Sequence, residues 1–520
     1  MSEDTEKPNA VIGMIALLGA LIVLLGLIYV VRPWFHTIIY GLLFSAPELL
    51  ALVVFTSVAG IATYSTTRST TATGTVVSIV FVVMIAGVLL GGAYSQQTTA
   101  ENLEFTETDN LPEANADQPR ILPQTVADQY AQNTLQLPQH QLSQGDITMV
   151  DGTPQWSYAA EPEGLINSWR ISQQGGVFVD MTTTRTSVSN VDNEMENGMG
   201  MAFNDNYKWN AVKNNYWTSY QDPYLVPHDD ELYIAVPTID HNHHIGNPLE
   251  GQVPIVYSTP EWGGVTLLGE DGSVEHLSPE EAQNHEVLEG QRLYPFDLAE
   301  YEVESQAYKN GIINAWFIHE DQLELASTGE GNSQPFMTVN EDGSLSYLSA
   351  AEPYGDAAGV YQIWMHDGRT GEIQQNHLGD GDALVGPDRS TNYVEQAVPQ
   401  LREDMRMVEP LPVVVDDTLY WMVRVVPSES TGVAFNAFVN SETTDVLLFT
   451  EDEEIYDFLA GEVGEEDVAV DGGEEAPDGS NTITVIVIED GMPVGEVEID
   501  ADSDWGIEVE RGEEFTEEEE

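Results

Sequence analysis

Residues 416–427, with the sequence DDTLYWMVRVVP, form the stretch on which the fold prediction rests. Two aspartates precede a run of β-branched, aromatic and aliphatic side chains, a composition typical of a buried strand. The skeleton of this stretch is an aspartate, an aromatic residue and a proline. It occurs three times, as Asp416, Trp421 and Pro427, as Asp342, Tyr347 and Pro353, and as Asp151, Trp156 and Pro162. A looser copy lies at residues 231–237. This recurrence predicts a region of similar units rather than one compact enzyme.

The third and fourth units share a second pattern beyond the proline. At matching offsets the sequence has Gly359-Val360, Asp367 and Thr370 in the third unit, and Gly432-Val433, Asn440 and Thr443 in the fourth. The pattern indicates a helix followed by an antiparallel strand pair or triplet, with a tight turn near Gly371. The aromatic residue of each skeleton is interpreted as core packing beneath the helix.

The strand at residues 420–425 (YWMVRV) and the sequence at residues 366–373 (HDGRTGEI) resemble the PepSY domain. That family often ends a strand in a sequence of the type Val-Asp-Ala-x-Thr-Gly-Glu-Val. The matching positions are Asp367, Thr370, Gly371, Glu372 and Ile373, whereas Gly368 replaces the usual alanine, and Asn440 and Thr444 replace Asp and Gly in the fourth unit. The resemblance implies extracytoplasmic, non-catalytic modules linked to peptidase inhibition or envelope regulation. It supplies no catalytic residues.

The charge of the chain indicates an adaptation to salt. Among 520 residues there are 88 acidic and 16 basic side chains, which gives a net charge of -72, and four of the basic residues are lysines. Such self-repulsion opposes a compact state at ordinary ionic strength, but in molar salt the screening length falls to roughly 3 Å. We therefore expect a protein of an extreme halophile. An acidic disordered chain is disfavoured by ten Trp and 21 Tyr, and nucleic-acid binding is not expected without a basic patch. The absence of cysteine excludes disulfides and thiolate metal sites.

Three apolar runs predict three transmembrane helices, at about residues 11–31, 38–64 and 75–93. Glu48 interrupts the second run. Either its carboxyl group lies within the membrane, or the second helix begins near Leu49 and Glu48 lies at the interface beside a re-entrant segment at residues 34–45. We favour the second alternative. The predicted location is the cell membrane, with several spans, the lipid bilayer as a partner and the C-terminal region outside.

The predicted fold class is α+β, with a repeat-built ectodomain of helix plus antiparallel β-hairpin units behind the three membrane helices. Residues 312–318 are predicted to form a buried strand. The expected segments are the transmembrane region 1–95, a linker 96–123, a PepSY-like unit 124–200, a degenerate unit with a helical insert 201–330, units 331–378 and 379–460, an acidic linker 461–480, a small β unit 481–511 and an acidic tail 512–520.

The densest group of potential metal ligands is Asp240-His241-Asn242-His243-His244. Alternating His241 and His243 would share one face of a strand and could bind a divalent metal, with Asp240 or His228 as a further ligand. The alternative is a solvated turn, because glycine and proline flank the segment. No catalytic residue and no cofactor are predicted.

Three functions remain open at this point. The leading hypothesis is a membrane-anchored, non-enzymatic protein that acts in envelope regulation or binds a protein partner. The second is a membrane-associated structural protein of a halophilic virus or provirus. The third is a metal-dependent enzyme that uses His241 and His243.

Overall fold

The computed structural model shows a mixed α+β fold, which confirms the predicted class. It describes residues 28–246, 255–329, 333–355, 359–377, 384–398, 405–428, 432–464, 482–489 and 492–500, together with Val23 and Gly26. Contacts divide the chain into one unit of residues 1–469 and a second of residues 470–520. In the second unit, two antiparallel strands form a hairpin. The other parts of the predicted small β unit, at 506–509, and of the acidic linker, from 465 onward, lie outside the described residues.

The helices, numbered along the chain, are α1 His36–Tyr40, α2 Pro47–Thr67, α3 Thr70–Asn102, α4 Gln124–Thr134, α5 Gly164–Asn167, α6 Tyr207–Asn214, α7 Pro279–Gln283, α8 Phe296–Ser305, α9 Pro387–Ala397 and α10 Asp452–Leu459. Short 3-10 or π turns occupy Arg32–Phe35, Gly41–Ser45, Phe203–Asp205, Glu286–Leu288, Gln306–Tyr308 and Asn314–Ile318.

The strands are β1 Thr106–Thr108, β2 His140–Leu142, β3 Asp146–Val150, β4 Thr153–Pro162, β5 Gln174–Asp180, β6 Val188–Glu194, β7 Ser219–Tyr220, β8 Tyr224–His228, β9 Glu231–Gly246, β10 Ile255–Gly269, β11 Val274–Leu277, β12 Leu323–Leu325, β13 Phe336–Val339, β14 Leu345–Pro353, β15 Gln362–Asp367, β16 Ile373–His377, β17 Met405–Val415, β18 Thr418–Pro427, β19 Phe435–Asn440, β20 Val446–Phe449, β21 Thr482–Glu489 and β22 Met492–Asp500.

Two helices in the described chain are long and apolar enough to cross a membrane, α2 and α3. Of the three predicted helices, the described residues show these two, and the first predicted run, 11–31, lies mainly outside the described residues. The second predicted helix begins at Pro47 rather than near residue 38. Ala46 leaves the helical conformation (φ -139°, ψ 65°), because a proline disfavours that conformation in the residue before it, and Pro47 then starts a new helix. We call α2 and α3 the apolar hairpin.

Four antiparallel sheets follow in the described residues, and each contains a meander of four consecutive strands. The first sheet has β3 to β6, the second β8 to β11, the third β13 to β16 and the fourth β17 to β20. The helices α4, α6, α8 and α9 precede the four meanders in that order. Each meander therefore has more strands than the predicted pair or triplet. Additional strands extend three sheets, including β1, which pairs in parallel with β16.

The aspartate of the sequence skeleton lies in the hairpin turn between the first two strands of a meander. Asp151 and Asp416 have φ values of 51° and 50°, and the residue after each also has a positive φ, at 79° and 62°. Two consecutive left-handed residues form the turn that suits a two-residue hairpin, and Asp and Gly tolerate this conformation. The proline of the skeleton is the last residue of β4, β14 and β18.

The aromatic residue of the skeleton is buried and forms the same hydrogen bond in three sheets. Trp156, Tyr347 and Trp421 are each at most 4% exposed. The donors reach the carbonyl oxygens of Leu122 (3.0 Å), Tyr294 (2.9 Å) and Val385 (2.6 Å). Each acceptor lies two residues before the first residue of the helix that precedes the sheet. The bond thus fixes the start of a helix to the second strand of its sheet.

The prediction of a buried strand at residues 312–318 is wrong. Residues Asn314–Ile318 form a π turn, and Ile313, Phe317 and Ile318 are 69%, 74% and 59% exposed. The run follows Gly311, which has a positive φ of 90°, and it lacks the alternation that would separate a buried from a solvated face. Its apolar side chains project outward from the sheets beside α3.

Candidate functional site

A cavity of about 880 Å³ lies where the apolar hairpin meets the second sheet and α8. Its walls come from all of these elements. They include Glu48 of α2, Gly91 and Ser95 of α3, His241 of β9, Ser258 of β10 and Tyr301 of α8. One side of the cavity is therefore lipophilic helix and the other is polar sheet.

Glu48 lies at the start of α2 and packs against α3. A Cβ atom at Gly91 would lie 3.2 Å from the Glu48 Cγ atom, so the glycine makes room for the carboxyl side chain. The Glu48 Oε2 atom is buried and has no hydrogen-bond partner among the described residues. Its position in the first turn of α2, after the turn Gly41–Ser45, agrees with the interfacial alternative for this residue.

Polar side chains join the segment before α2 to the second sheet. His36 Nε2 lies 3.0 Å from the Thr218 carbonyl oxygen, and the Tyr40 hydroxyl donates to the Ile239 carbonyl at 3.1 Å. The Ser258 hydroxyl donates to the Ser45 carbonyl at 2.9 Å. Both His36 and Tyr40 are buried, although they lie within an apolar part of the sequence.

A second set of contacts joins the C-terminal part of α3 to the sheets. Ser95 bonds to the Ser258 carbonyl oxygen at 2.5 Å and lies 2.6 Å from the Tyr301 hydroxyl. The Thr98 and Tyr257 hydroxyls are 2.9 Å apart. Helix α3 therefore continues directly into the folded region as far as Asn102, through part of the segment 96–123 that was expected to be a linker.

The structure divides the predicted metal ligands between two places. His241 and His243 alternate on β9, but their imidazoles pair with the Tyr40 hydroxyl (3.1 Å) and the Leu43 carbonyl oxygen (2.7 Å). Asp240 adjoins them, and its buried Oδ1 atom has no partner among the described residues. His228 ends β8, at the opposite end of β9, and lies 3.6 Å from Asp229. Within the described chain no group of three His, Asp or Glu side chains is arranged to hold a metal ion.

Burial keeps the two histidines of this contact neutral. Burial, together with the neighbouring His243, lowers the pKa of His241 to about 4. Burial also lowers the pKa of His36, while the carbonyl oxygen of Thr218 opposes this shift. At neutral pH both rings therefore act as uncharged hydrogen-bonding groups between the helical segment and the sheet.

A second cavity, of about 350 Å³, is lined by residues from each of the four sheets and from the segments that precede them. Arg292 pairs with Asp146 there, and Glu409 pairs with both Arg120 (3.4 Å) and Arg424 (3.1 Å). Burial lowers the pKa of Arg424 to about 10, although Glu409 opposes this shift. Gln221 and Asp297 line this cavity as well as the larger one, so the two cavities adjoin.

These buried arginines were not identified from the sequence. One signal was available. The chain has only 16 lysines and arginines, and one of them lies within the apolar strand at residues 418–427, where a buried arginine requires an acidic partner. Arg424 is fully buried in that strand. The acidic partner, Glu409, could not be chosen from 88 acidic residues by sequence alone.

Comparison with known proteins identifies no family. No family model matches the chain, and no curated protein matches it. A solved structure with some similarity is the glycoside hydrolase family 32 β-fructofuranosidase of the silkworm Bombyx mori, at 9% sequence identity and a TM-score of 0.15. The match covers 60% of this chain and 51% of that protein. Similarity at this level assigns neither fold nor activity.

Proposed function

We propose that this protein is a membrane-anchored, non-enzymatic protein of an extreme halophile that presents its four sheets outside the cell for envelope regulation or protein binding. The observation that carries the proposal is the direct contact between the apolar hairpin and the sheets. Ser45 and Ser95 both bond to Ser258 of β10, so helices of membrane-spanning length hold the sheets without a free linker. Such an arrangement suits a protein that positions a binding surface at a fixed height above a bilayer.

The proposed ectodomain consists of copies of one PepSY-like unit, each with a helix and a four-stranded meander. Three aromatic residues that bond to the chain just before a helix support this proposal, as does one turn shared by the third and fourth sheets. Asp367 Oδ1 accepts hydrogen bonds from the backbone of Arg369 and Thr370. Asn440 Oδ1 accepts the corresponding bonds from Glu442 and Thr443.

The hydrogen bonds of the titratable groups near the larger cavity support a role in binding rather than catalysis. The Tyr40 hydroxyl bonds to His241 and to the Ile239 carbonyl oxygen, and His243 bonds to the Leu43 carbonyl oxygen, so these side chains join the helical segment to the sheet. These contacts orient the structure, and among the described residues no carboxylate is in hydrogen-bonding contact with the His241 imidazole. The proposal therefore assigns His241 a structural role.

Single cysteines can test the anchoring and the orientation, because the chain has none of its own. Thr186→Cys places a thiol on an exposed connection of the first sheet, and Thr70→Cys places one at the turn between α2 and α3. We expect a membrane-impermeant maleimide to label Thr186→Cys in intact cells and Thr70→Cys only after lysis. The reverse pattern would place the sheets inside the cell, and labelling of both sites would show that the hairpin does not span the membrane.

A further inference from the structure

The four-sheet region has exposed apolar side chains next to the apolar hairpin. Trp316 of the turn Asn314–Ile318 lines the larger cavity together with Val88 and Leu89 of α3. Both α3 residues belong to the apolar run 75–93, and Leu89 lies about one helical turn (roughly 6 Å) below the end of that run. Trp316 therefore lies beside the apolar part of α3 rather than beside its polar C-terminal end.

The outward side chains of this turn have no described protein surface over them. Ile313, Phe317 and Ile318 are each more than half exposed, and they flank the partly covered Trp316. Apolar side chains of this size in one short segment form a patch of a kind that marks an interaction surface rather than ordinary surface composition.

A second exposed apolar patch surrounds Trp34, which precedes the apolar hairpin. Trp34 packs on Phe203 with ring centroids 4.6 Å apart, and Phe203 packs on Trp169 at 4.4 Å. Trp169 is 60% exposed, and the nearby Leu165 of α5 is 85% exposed. This patch lies in the connection between β4 and β5 and in the segment between β6 and α6, so it is distant in sequence from the turn Asn314–Ile318.

The lysines of the described chain are close to the same side. Lys309 lies over the Phe105 ring, 5.6 Å from its centroid, just after α3 ends. Lys208 and Lys213 belong to α6, and the Lys213 carbonyl oxygen accepts a hydrogen bond of 2.7 Å from Arg32. In a chain of net charge -72, Lys309 therefore lies beside an aromatic ring, and the helix that carries Lys208 and Lys213 is bonded to the segment just before the apolar hairpin. Aromatic and basic side chains together are typical of the bilayer interface.

We propose that the side of the four-sheet region next to the apolar hairpin is a second lipid-binding surface. It comprises residues 313–318 and the patch of Leu165, Trp169 and Phe203, and it inserts into the outer leaflet of a phospholipid bilayer. Its aromatic and aliphatic side chains contact acyl chains, and the lysines contact lipid phosphates. This inference rests on the proposed membrane anchoring and adds that the sheets themselves, as well as the helices, enter the leaflet.

The test uses single-cysteine variants of the full chain, labelled with an environment-sensitive fluorophore and reconstituted into phosphatidylglycerol vesicles that contain nitroxide-labelled lipid. Phe317→Cys and Leu165→Cys report on the proposed surface. Val82→Cys, at an exposed position within α3, reports on the anchoring, and Thr186→Cys is the aqueous control. We expect about twofold quenching at Phe317→Cys and Leu165→Cys, because interfacial side chains lie among headgroups and upper acyl chains. Thr186→Cys should not be quenched.

Quenching at Val82→Cys with aqueous behaviour at Phe317→Cys or Leu165→Cys would overturn the lipid surface and leave the anchoring intact. A blue-shifted label at those positions that lipid nitroxides do not quench would show that protein covers them, which also overturns the inference. Absence of quenching at Val82→Cys would remove the anchoring together with this inference.

Discussion

At the scale of single residues, the buried donors on the second strands are the contacts whose loss is easiest to measure. The hydroxyl of Tyr347 donates a hydrogen bond to the Tyr294 carbonyl oxygen at 2.9 Å, and Tyr347 is fully buried. The Tyr347→Phe substitution leaves that buried carbonyl without this donor, so we expect the free energy of unfolding to fall by about 1–2 kcal/mol. Tyr233→Phe is the matched control, because its hydroxyl bonds only to the side chain of Glu231 at the surface. Equal losses from the two variants in denaturant titrations would contradict a structural role for the buried bond.

The histidines at the helix contact predict a pH dependence. The folded pKa of His241 is about 4, below the ordinary value of about 6.5, so the folded state favours the neutral ring. Its contribution to stability is complete above about pH 6.5 and is lost as the pH falls toward about 4. We expect the loss of stability between pH 7 and 5 to be smaller by about 1 kcal/mol in His241→Gln than in the unchanged chain, allowing for partial exposure of the ring. The same pH dependence in both proteins would exclude this role.

At the scale of elements, the turn between the last two strands has a glycine in the third sheet where the fourth sheet has a threonine. Gly371 has a φ of 74°, and Thr444 occupies the corresponding position with a φ of 70°. A β-branched residue is strained in the left-handed region, so we expect Thr444→Gly to raise the free energy of unfolding by about 1 kcal/mol, after the entropy that glycine loses on folding. The neighbouring Thr443→Gly should lower it, because that hydroxyl bonds to Asp445. Destabilisation by both substitutions would show that the strain is not present.

The elements also show what the sequence could and could not predict. The positions of the turns and second strands followed from Asp151, Asp416 and their aromatic partners, because turn chemistry and side-chain period are local properties. The segment at 312–318 was assigned wrongly, because a short apolar run has the same composition whether it lies inside a core or against a lipid. The contact between Tyr40 and His241 was not predictable, since it joins residues about two hundred positions apart through a single hydrogen bond.

At the scale of the whole molecule, the net charge of -72 predicts stabilisation by salt. Between about 0.1 and about 1 M KCl the screening length falls from roughly 10 to roughly 3 Å, which removes most of the repulsion among surface carboxylates. We expect the thermal unfolding temperature of the detergent-solubilised protein to rise continuously over this range. Sucrose, which lacks charge, should give a smaller increase. An unfolding temperature that is constant or falls with KCl would contradict the proposed adaptation to salt.

The residues that line each cavity come from distant segments of the chain, and composition did not reveal which segments meet. Glu409 joins Arg120 and Arg424 in one buried group, whereas Arg292 pairs with Asp146. The Arg120–Glu409 and Arg292–Asp146 pairs each join a sheet to chain outside it, so they depend on how the meanders pack around a common centre, whereas Arg424 and Glu409 lie on adjacent strands of the fourth sheet. Sequence patterns specify each meander, but the choice of ion partners requires the assembled fold.

The central claim is that the sheets are fixed directly to the apolar hairpin. A double variant, Ser45→Cys with Ser258→Cys, tests it most directly, because the Ser258 hydroxyl lies 2.9 Å from the Ser45 carbonyl oxygen. We expect a short bismaleimide to join the two thiols within one chain in native membranes. The control pair, Ser45→Cys with Thr186→Cys, should not be joined. The account would be contradicted if the Ser45–Ser258 pair were cross-linked no more than the control pair. That result would show that the sheets do not contact the segment before α2.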